Sequence, residues 1–220
     1  MSWHSWTSAF GRACGVLLDT IVRWLALSRI NPNVLTFMGL VVNTWAAILF
    51  GSATALTQRR MFFYAGLVII ASGFFDLVDG QVARATNRVT RFGAFFDSVV
   101  DRYSDASQFL GLLVFYARGD RFFYVVLTAF VMVSAIMVSY TRARAESLIG
   151  SCRVGFMERP ERLVLVIIGA LFNRMAPVLW VIAVLGSVTV IHRIWYTYQR
   201  TKPEVLPAKG AVSREPSAVA

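Results

Sequence analysis

Long apolar stretches broken by one acidic string decide what this chain can become. Stretches at 34–54, 61–82, 93–117, 122–140 and 178–195 have the length and composition of membrane-crossing helices, which need about 17–25 residues. A sixth, at 160–174, is shorter. The break at Asn173-Arg174-Met175-Ala176-Pro177 separates it from the last stretch. The alternative is one long kinked helix and five spans. With 57% hydrophobic and only 15% charged residues, the chain reads as an all-α integral membrane protein of six transmembrane helices.

Charge orients the spans. With six crossings and an inside N-terminus, Arg59, Arg60, Arg118, Arg121 and Arg174 lie outside, and every other cation lies inside. That asymmetry is a strong positive-inside bias. It explains the net charge of +10 without any nucleic acid. Attraction to anionic membrane lipids is a compatible second reading.

Residues 1–30 are not a secretory signal: Asp19 and Arg23 interrupt the apolar stretch and no basic segment precedes it. Arg12, Asp19 and Arg23 share one face, and Trp3, Trp6 and Trp24 suit a membrane interface. An amphipathic interfacial helix is expected there, ended by Asn31-Pro32-Asn33. Residues 31–198 form the six-helix domain. Residues 199–220, rich in Pro, Ala and Ser, form a disordered cytoplasmic tail. Cys14 and Cys152 imply no disulfide framework and have no metal-ligand companion.

The acidic string reads D-x-x-D-G-x-x-A-R-x8-G-x3-D-x3-D. Its members are Asp76, Asp79, Gly80, Ala83, Arg84, Gly93, Asp97 and Asp101. Residues three or four apart share a helix face. Asp76, Asp79, Gly80 and Ala83 therefore form one stripe, and Gly93, Asp97 and Asp101 a second. The polar segment 86–90 is expected to be a short turn. Two antiparallel helices joined there would turn their carboxylates toward each other. Several carboxylates cannot stay ionised side by side without a cation, and no protein cation is expected to balance them. All-oxygen ligands suit Mg²⁺, Mn²⁺ or Ca²⁺. The small residues beside the acids let a bulky ligand approach the backbone. The bland alternative is that the acids pair with Arg84, Arg88, Arg91 and Arg102. Asp105 continues the second stripe by one turn, where a polar contact to Ser104, Arg102 or another helix is expected.

This string resembles the signature of the CDP-alcohol phosphatidyltransferase family at all eight positions, in a resemblance running from about Pro32 to Trp195. The resemblance implies six transmembrane helices, a homodimer in a bacterial or archaeal cell membrane, and an active site facing the cytoplasm. It implies that an alcohol attacks the β-phosphate of a CDP-linked lipid, CDP-diacylglycerol, and displaces CMP. It also implies that Asp76, Asp79, Asp97 and Asp101 surround Mg²⁺ (or Mn²⁺), with Asp101 as general base. Gly80 and Ala83 would meet cytidine and Arg84 a substrate phosphate, with Gly93 also binding the CDP-lipid. Asn33 and Thr36 are candidates for the diphosphate, with helix capping as the alternative.

Two further segments narrow the acceptor. Residues 139–146 and 155–163, the second carrying Glu158-Arg159-Pro160-Glu161-Arg162, resemble those of phosphatidylinositol phosphate synthases. By that resemblance Arg142, Arg159 and Arg193 hold the phosphate of inositol 1-phosphate or another phosphorylated polyol. Position 142 departs from the lysine expected in such enzymes, which keeps the charge and changes the donor geometry. An unphosphorylated acceptor would not need several guanidinium groups, which are shaped for bidentate phosphate binding. Pro160 also suits a helix N-terminus aimed at an anion. The rival readings are the same chemistry with glycerol 3-phosphate or serine, a silent family member, and an ion transporter using the acids as a cation path.

Overall fold

The structure, a computed structural model, describes residues 31–85 and 89–201, except for the side chains of Asp79 and Ala85. The expected interfacial helix, nearly all of the expected tail and residues 86–88 of the expected turn lie outside those residues. The described residues form six helices and no strand. They are α1 (Pro32–Ser52), α2 (Gln58–Ala85), α3 (Arg91–Arg118), α4 (Phe122–Ile149), α5 (Arg159–Leu171) and α6 (Met175–Thr201).

Local chemistry sets the helix ends. Asn31 caps α1, its side chain accepting from the Asn33 amide at 3.1 Å, with Pro32 at the first position. Thr90 caps α3 in the same way, its Oγ1 accepting from the Gly93 amide at 2.9 Å. α4 runs on past its apolar stretch to Ile149 and stops where Gly150 takes φ 75°. The expected break after α5 is present: Asn173 takes φ 53°, a left-handed conformation that asparagine tolerates. Two helices result, not one long kinked one.

The helices alternate in direction. The starts of α1, α3 and α5 therefore meet the ends of α2, α4 and α6 at one end of the bundle. α1 packs against α2 and α3, α3 against α4, α4 against α6, and α5 joins α2 to α6. A cluster of buried apolar side chains lies toward the opposite end. There Phe62 meets Phe50 and Phe115 edge to face, at centroid distances of 5.0 and 4.9 Å. Nearer the middle, Gln108 donates to the Asn43 carbonyl oxygen at 2.7 Å, a buried polar tie between α1 and α3.

α1, α2, α4 and α6 are long and apolar enough to cross a membrane. Their outward side chains, such as Phe37, Val41, Trp45 and Ile48 on α1, are exposed hydrophobics. The other two helices do not meet that measure, for separate reasons. α3 carries Asp97, Asp101, Arg102 and Asp105 in its first half. α5 has 13 residues, about 20 Å of helix against roughly 30 Å of hydrocarbon.

The α1–α3 crossing depends on one missing side chain. A Cβ at Gly111 would stand 2.2 Å from the Ala47 carbonyl oxygen. Small residues let helices in lipid approach this closely. Gly111→Val is therefore expected to lose about 1–3 kcal/mol or more through overpacking, read as a lower Tm in detergent. An unchanged Tm would mean that the crossing is looser than described.

Candidate active site

The first residues to place are Asp76, near the end of α2, and Asp101, in the first half of α3. Both carboxylates reach one nitrogen of Arg159, at the start of α5. Arg159 Nη1 lies 3.0 Å from Asp76 Oδ2 and 2.9 Å from Asp101 Oδ1. Its Nε faces Asp105 Oδ1 at 3.8 Å. The two acidic stripes thus turn toward each other as expected. The expectation that no protein cation balances them is corrected, because Arg159 comes from a helix nearly sixty residues away in sequence. The bland pairing named Arg84, Arg88, Arg91 and Arg102. Of these, Arg102 approaches Asp101 at 3.9 Å while donating to the Ser98 carbonyl of its own helix. Three carboxylates, those of Asp76, Asp101 and Asp105, thus surround the Arg159 guanidinium.

Among the described residues, no three acidic, histidine or cysteine side chains form a ready metal cage. Asp79, the second acid of the string, is outside those side chains. The donor set present nevertheless suits a hard divalent cation. Carboxylate oxygens from two helices converge on a point now held by a guanidinium, so the geometry gathers them around positive charge.

Two cavities open on either side of the second stripe. One, of about 270 Å³, is lined by Asn33 and Thr36 from α1, Gly80, Ala83 and Arg84 from α2, and Gly93 and Asp97 from α3. Every residue expected to meet the CDP-lipid lies on it. Asn31, not Asn33, is the helix cap. The Asn33 side chain instead sits against the bare face of Gly93, 3.4 Å from where a Cβ would stand. Thr36 Oγ1 donates to the Pro32 carbonyl at 3.2 Å. The Arg84 guanidinium lies over Gly80.

The other cavity, of about 280 Å³, is lined by Asp101, Asp105, Arg142, Glu158, Arg159 and Arg193, among others. The three arginines expected to hold an acceptor's phosphate therefore share one chamber. They differ in freedom. Arg142 grips both Glu158 oxygens at 2.9 Å and Glu146 at 3.0 Å. Arg193 is almost wholly buried, and each of its three nitrogens has a partner: the Val154 carbonyl, the Val138 carbonyl and Glu158 Oε1. It staples the loop before α5 to the ends of α4 and α6. The start of α5 is closed by its own glutamates, the Glu158 amide donating to Glu161 Oε2 at 3.1 Å. That leaves less of this helix end for an anion than the sequence suggested.

Three contacts went unread in the sequence. Glu158 ties Arg142 to Arg193, and its place inside the basic segment was the available signal. Arg162 is buried and pairs with Asp105, so the partner of Asp105 does come from another helix. Gly39 on α1 leaves room for Asp76: a Cβ there would stand 3.1 Å from Asp76 Oδ1. Nothing in the sequence around Gly39 marks that contact.

Comparisons with known proteins point to one family. The family model described as CDP-alcohol phosphatidyltransferase matches residues 29–195. The chain is 35% identical over 185 residues to the archaetidylinositol phosphate synthase of Pyrococcus horikoshii, covering 83% of this chain and 92% of that relative. It is 34% identical to the phosphatidylinositol phosphate synthase of Streptomyces avermitilis, covering 89% of this chain and 83% of the relative. Solved structures of the Mycobacterium tuberculosis phosphatidylinositol phosphate synthase share 29% identity with it. The one with CDP-DAG bound superposes with a TM-score of 0.73 over 90% of this chain and 98% of that chain. The one with manganese and citrate gives 0.72 over 90% and 93%.

Proposed function

The chain belongs to the CDP-alcohol phosphatidyltransferase family, and from that premise we propose that it transfers the phosphatidyl group from CDP-diacylglycerol to inositol 1-phosphate. The products are phosphatidylinositol phosphate and CMP. The enzyme is a membrane phosphotransferase of phospholipid biosynthesis. The observation that carries the acceptor proposal is the placement of one helical stripe between two unlike cavities. Asp97 lines the cavity of small residues, and Asp101 lines the cavity of arginines. Both kinds of relative named above also carry inositol phosphate in their names.

In this proposal the cavity between α1, α2 and α3 takes the CDP end of the donor. Gly80 and Ala83 let the base approach the backbone, and Arg84 meets a phosphate at the mouth. Arg142 and Arg159 receive the acceptor's phosphate in the other cavity, while Arg193 fixes Glu158 and the loop that closes it. The acceptor hydroxyl then faces Asp101, which takes its proton as the oxygen attacks the β-phosphorus and CMP leaves. Asp76, Asp79, Asp97 and Asp101 are the residues that would hold Mg²⁺ or Mn²⁺. When bound, such an ion neutralises the pyrophosphate and stabilises the leaving CMP. The rest is positioning and electrostatics, as in phosphoryl transfer generally.

Six membrane crossings, a homodimer and a site open to the cytoplasm belong to the same proposal. The cation asymmetry supports that orientation. An ion path is disfavoured because the acids are flanked by two chambers of ligand size rather than aligned along a pore.

The two-cavity account makes a paired prediction. Charge-assisted hydrogen bonds to phosphate are worth about 1.5–3 kcal/mol, so losing one should raise the matching KM roughly tenfold or more. Arg84→Ala is expected to raise the KM for CDP-diacylglycerol and spare that for the acceptor. Arg159→Ala is expected to do the reverse. Steady-state kinetics with each substrate varied in turn checks both. If Arg159→Ala weakens the donor instead, the assignment of the cavities is wrong.

A further inference from the structure

The acceptor cavity is framed by two facing pairs of charges. Asp101 and Asp105 stand one turn apart on α3, and Arg159 and Arg162 stand three residues apart on α5. Arg159 bonds Asp101 and Asp76, whereas Arg162 bonds Asp105 Oδ2. The inner pair is sealed: the Arg162 side chain is 2% exposed and that of Asp105 9%. Arg162 Nε and Nη1 are buried and have no hydrogen-bond partner among the described residues. A buried pair of this kind is often no more stable than an apolar replacement, and unmade donors add a desolvation cost. Stability is therefore a poor account of Arg162.

Its position suggests another role. Asp105 lines the cavity beside Arg159, while Arg162 stands behind it. Arg159 Nε already faces the free oxygen of Asp105 at 3.8 Å. Without Arg162, Asp105 would be an unpaired, almost buried carboxylate with Arg159 as its nearest cation. Arg159, whose Nε is already 3.8 Å from Asp105, would then be drawn toward Asp105 and away from Asp76 and Asp101.

We propose that Arg162 is a positioning residue for the acceptor cavity: by occupying Asp105, it keeps Arg159 available at the Asp76–Asp101 edge for the phosphate of the incoming alcohol. This rests on the proposal that the cavity takes a phosphorylated acceptor.

The test uses Arg162→Met, which removes the charge and the two unmade donors while keeping an unbranched apolar side chain. It is compared with the double variant Asp105→Asn with Arg162→Met. The single variant is expected to raise the acceptor KM roughly tenfold and to leave the CDP-diacylglycerol KM unchanged. In the double variant nothing competes for Arg159. Its acceptor KM is expected to return to within about threefold of wild type, a coupling between neighbours that only a cycle reveals. Arg162→Lys, which retains the charge, should resemble wild type more than Arg162→Met does.

A merely structural role predicts a lower Tm with kcat and both KM values moving together, not a change confined to the acceptor KM. A double variant as impaired as the single overturns the proposal, as does a single variant with wild-type acceptor KM. Should Arg162→Met fail to fold, the double variant alone decides, by the same threefold limit. Inorganic phosphate, titrated calorimetrically into each protein, supplies a second readout that does not depend on which alcohol reacts. If wild type makes no lipid from inositol 1-phosphate, the acceptor proposal falls by itself. Phosphate affinity unchanged by Arg162→Met would overturn the role of Arg162, whichever acceptor is used.

Discussion

An Asp101→Asn enzyme is expected to bind CDP-diacylglycerol normally and to turn it over roughly 10²–10⁴ times more slowly, the usual loss when a general base is removed. Asparagine keeps the shape of the side chain but cannot take the acceptor's proton. Asp101 stands where a base is needed, on the wall of the arginine-lined cavity and one turn along α3 from Asp97, which lines the other. Its carboxylate is only 17% exposed and bonded to Arg159, so its orientation is held before substrate arrives. Single-turnover transfer and donor binding by calorimetry separate the two effects. Wild-type turnover would remove Asp101 from the role of base. Loss of donor binding along with turnover would mean that Asp101 acts through the metal alone and not as the base.

Excess EDTA should abolish transfer, and added Mn²⁺ or Mg²⁺ should restore it. Asp76→Asn and Asp97→Asn should each lose most turnover and bind Mn²⁺ more weakly by direct titration. Arg159 complicates this prediction in an informative way. It bonds Asp76 and Asp101 closely, so the acids could be read as a structural ion pair. A purely structural pair predicts that Asp76→Asn lowers Tm and leaves Mn²⁺ binding alone. A metal site predicts the opposite weighting. Full activity in EDTA would rule out the divalent ion.

The helices and the gathering of the small residues around one cavity were legible from sequence for clear reasons. Apolar stretch length marks a helix, and Asn31-Pro32 and Thr90 mark where two of them begin. The fixed spacing of Gly80, Ala83, Gly93 and Asp97 is local helical arithmetic, so it survived folding. The length of α4 was less legible. Residues 141–149 are polar enough to resemble a loop, yet they continue the helix to Gly150.

What could not be read is pairing across helices. Arg159, Arg142 and Arg193 were expected to wait for a phosphate. The fold gives each a carboxylate partner: Asp76 and Asp101 for the first, Glu158 for the other two. A basic segment announces that charge is present, but not which acid will face it. Gly39 shows the same limit. Its lack of a side chain matters only because α1 passes beside Asp76 on α2.

The central claim is the acceptor, and one assay reaches it directly. Purified protein in detergent with Mn²⁺ and CDP-diacylglycerol is offered inositol 1-phosphate, free inositol, glycerol 3-phosphate or serine, and both CMP and lipid product are measured. The account predicts CMP release coupled one-to-one to phosphatidylinositol phosphate with inositol 1-phosphate, and little product from the others. Equal or faster transfer to free inositol, glycerol 3-phosphate or serine would contradict it.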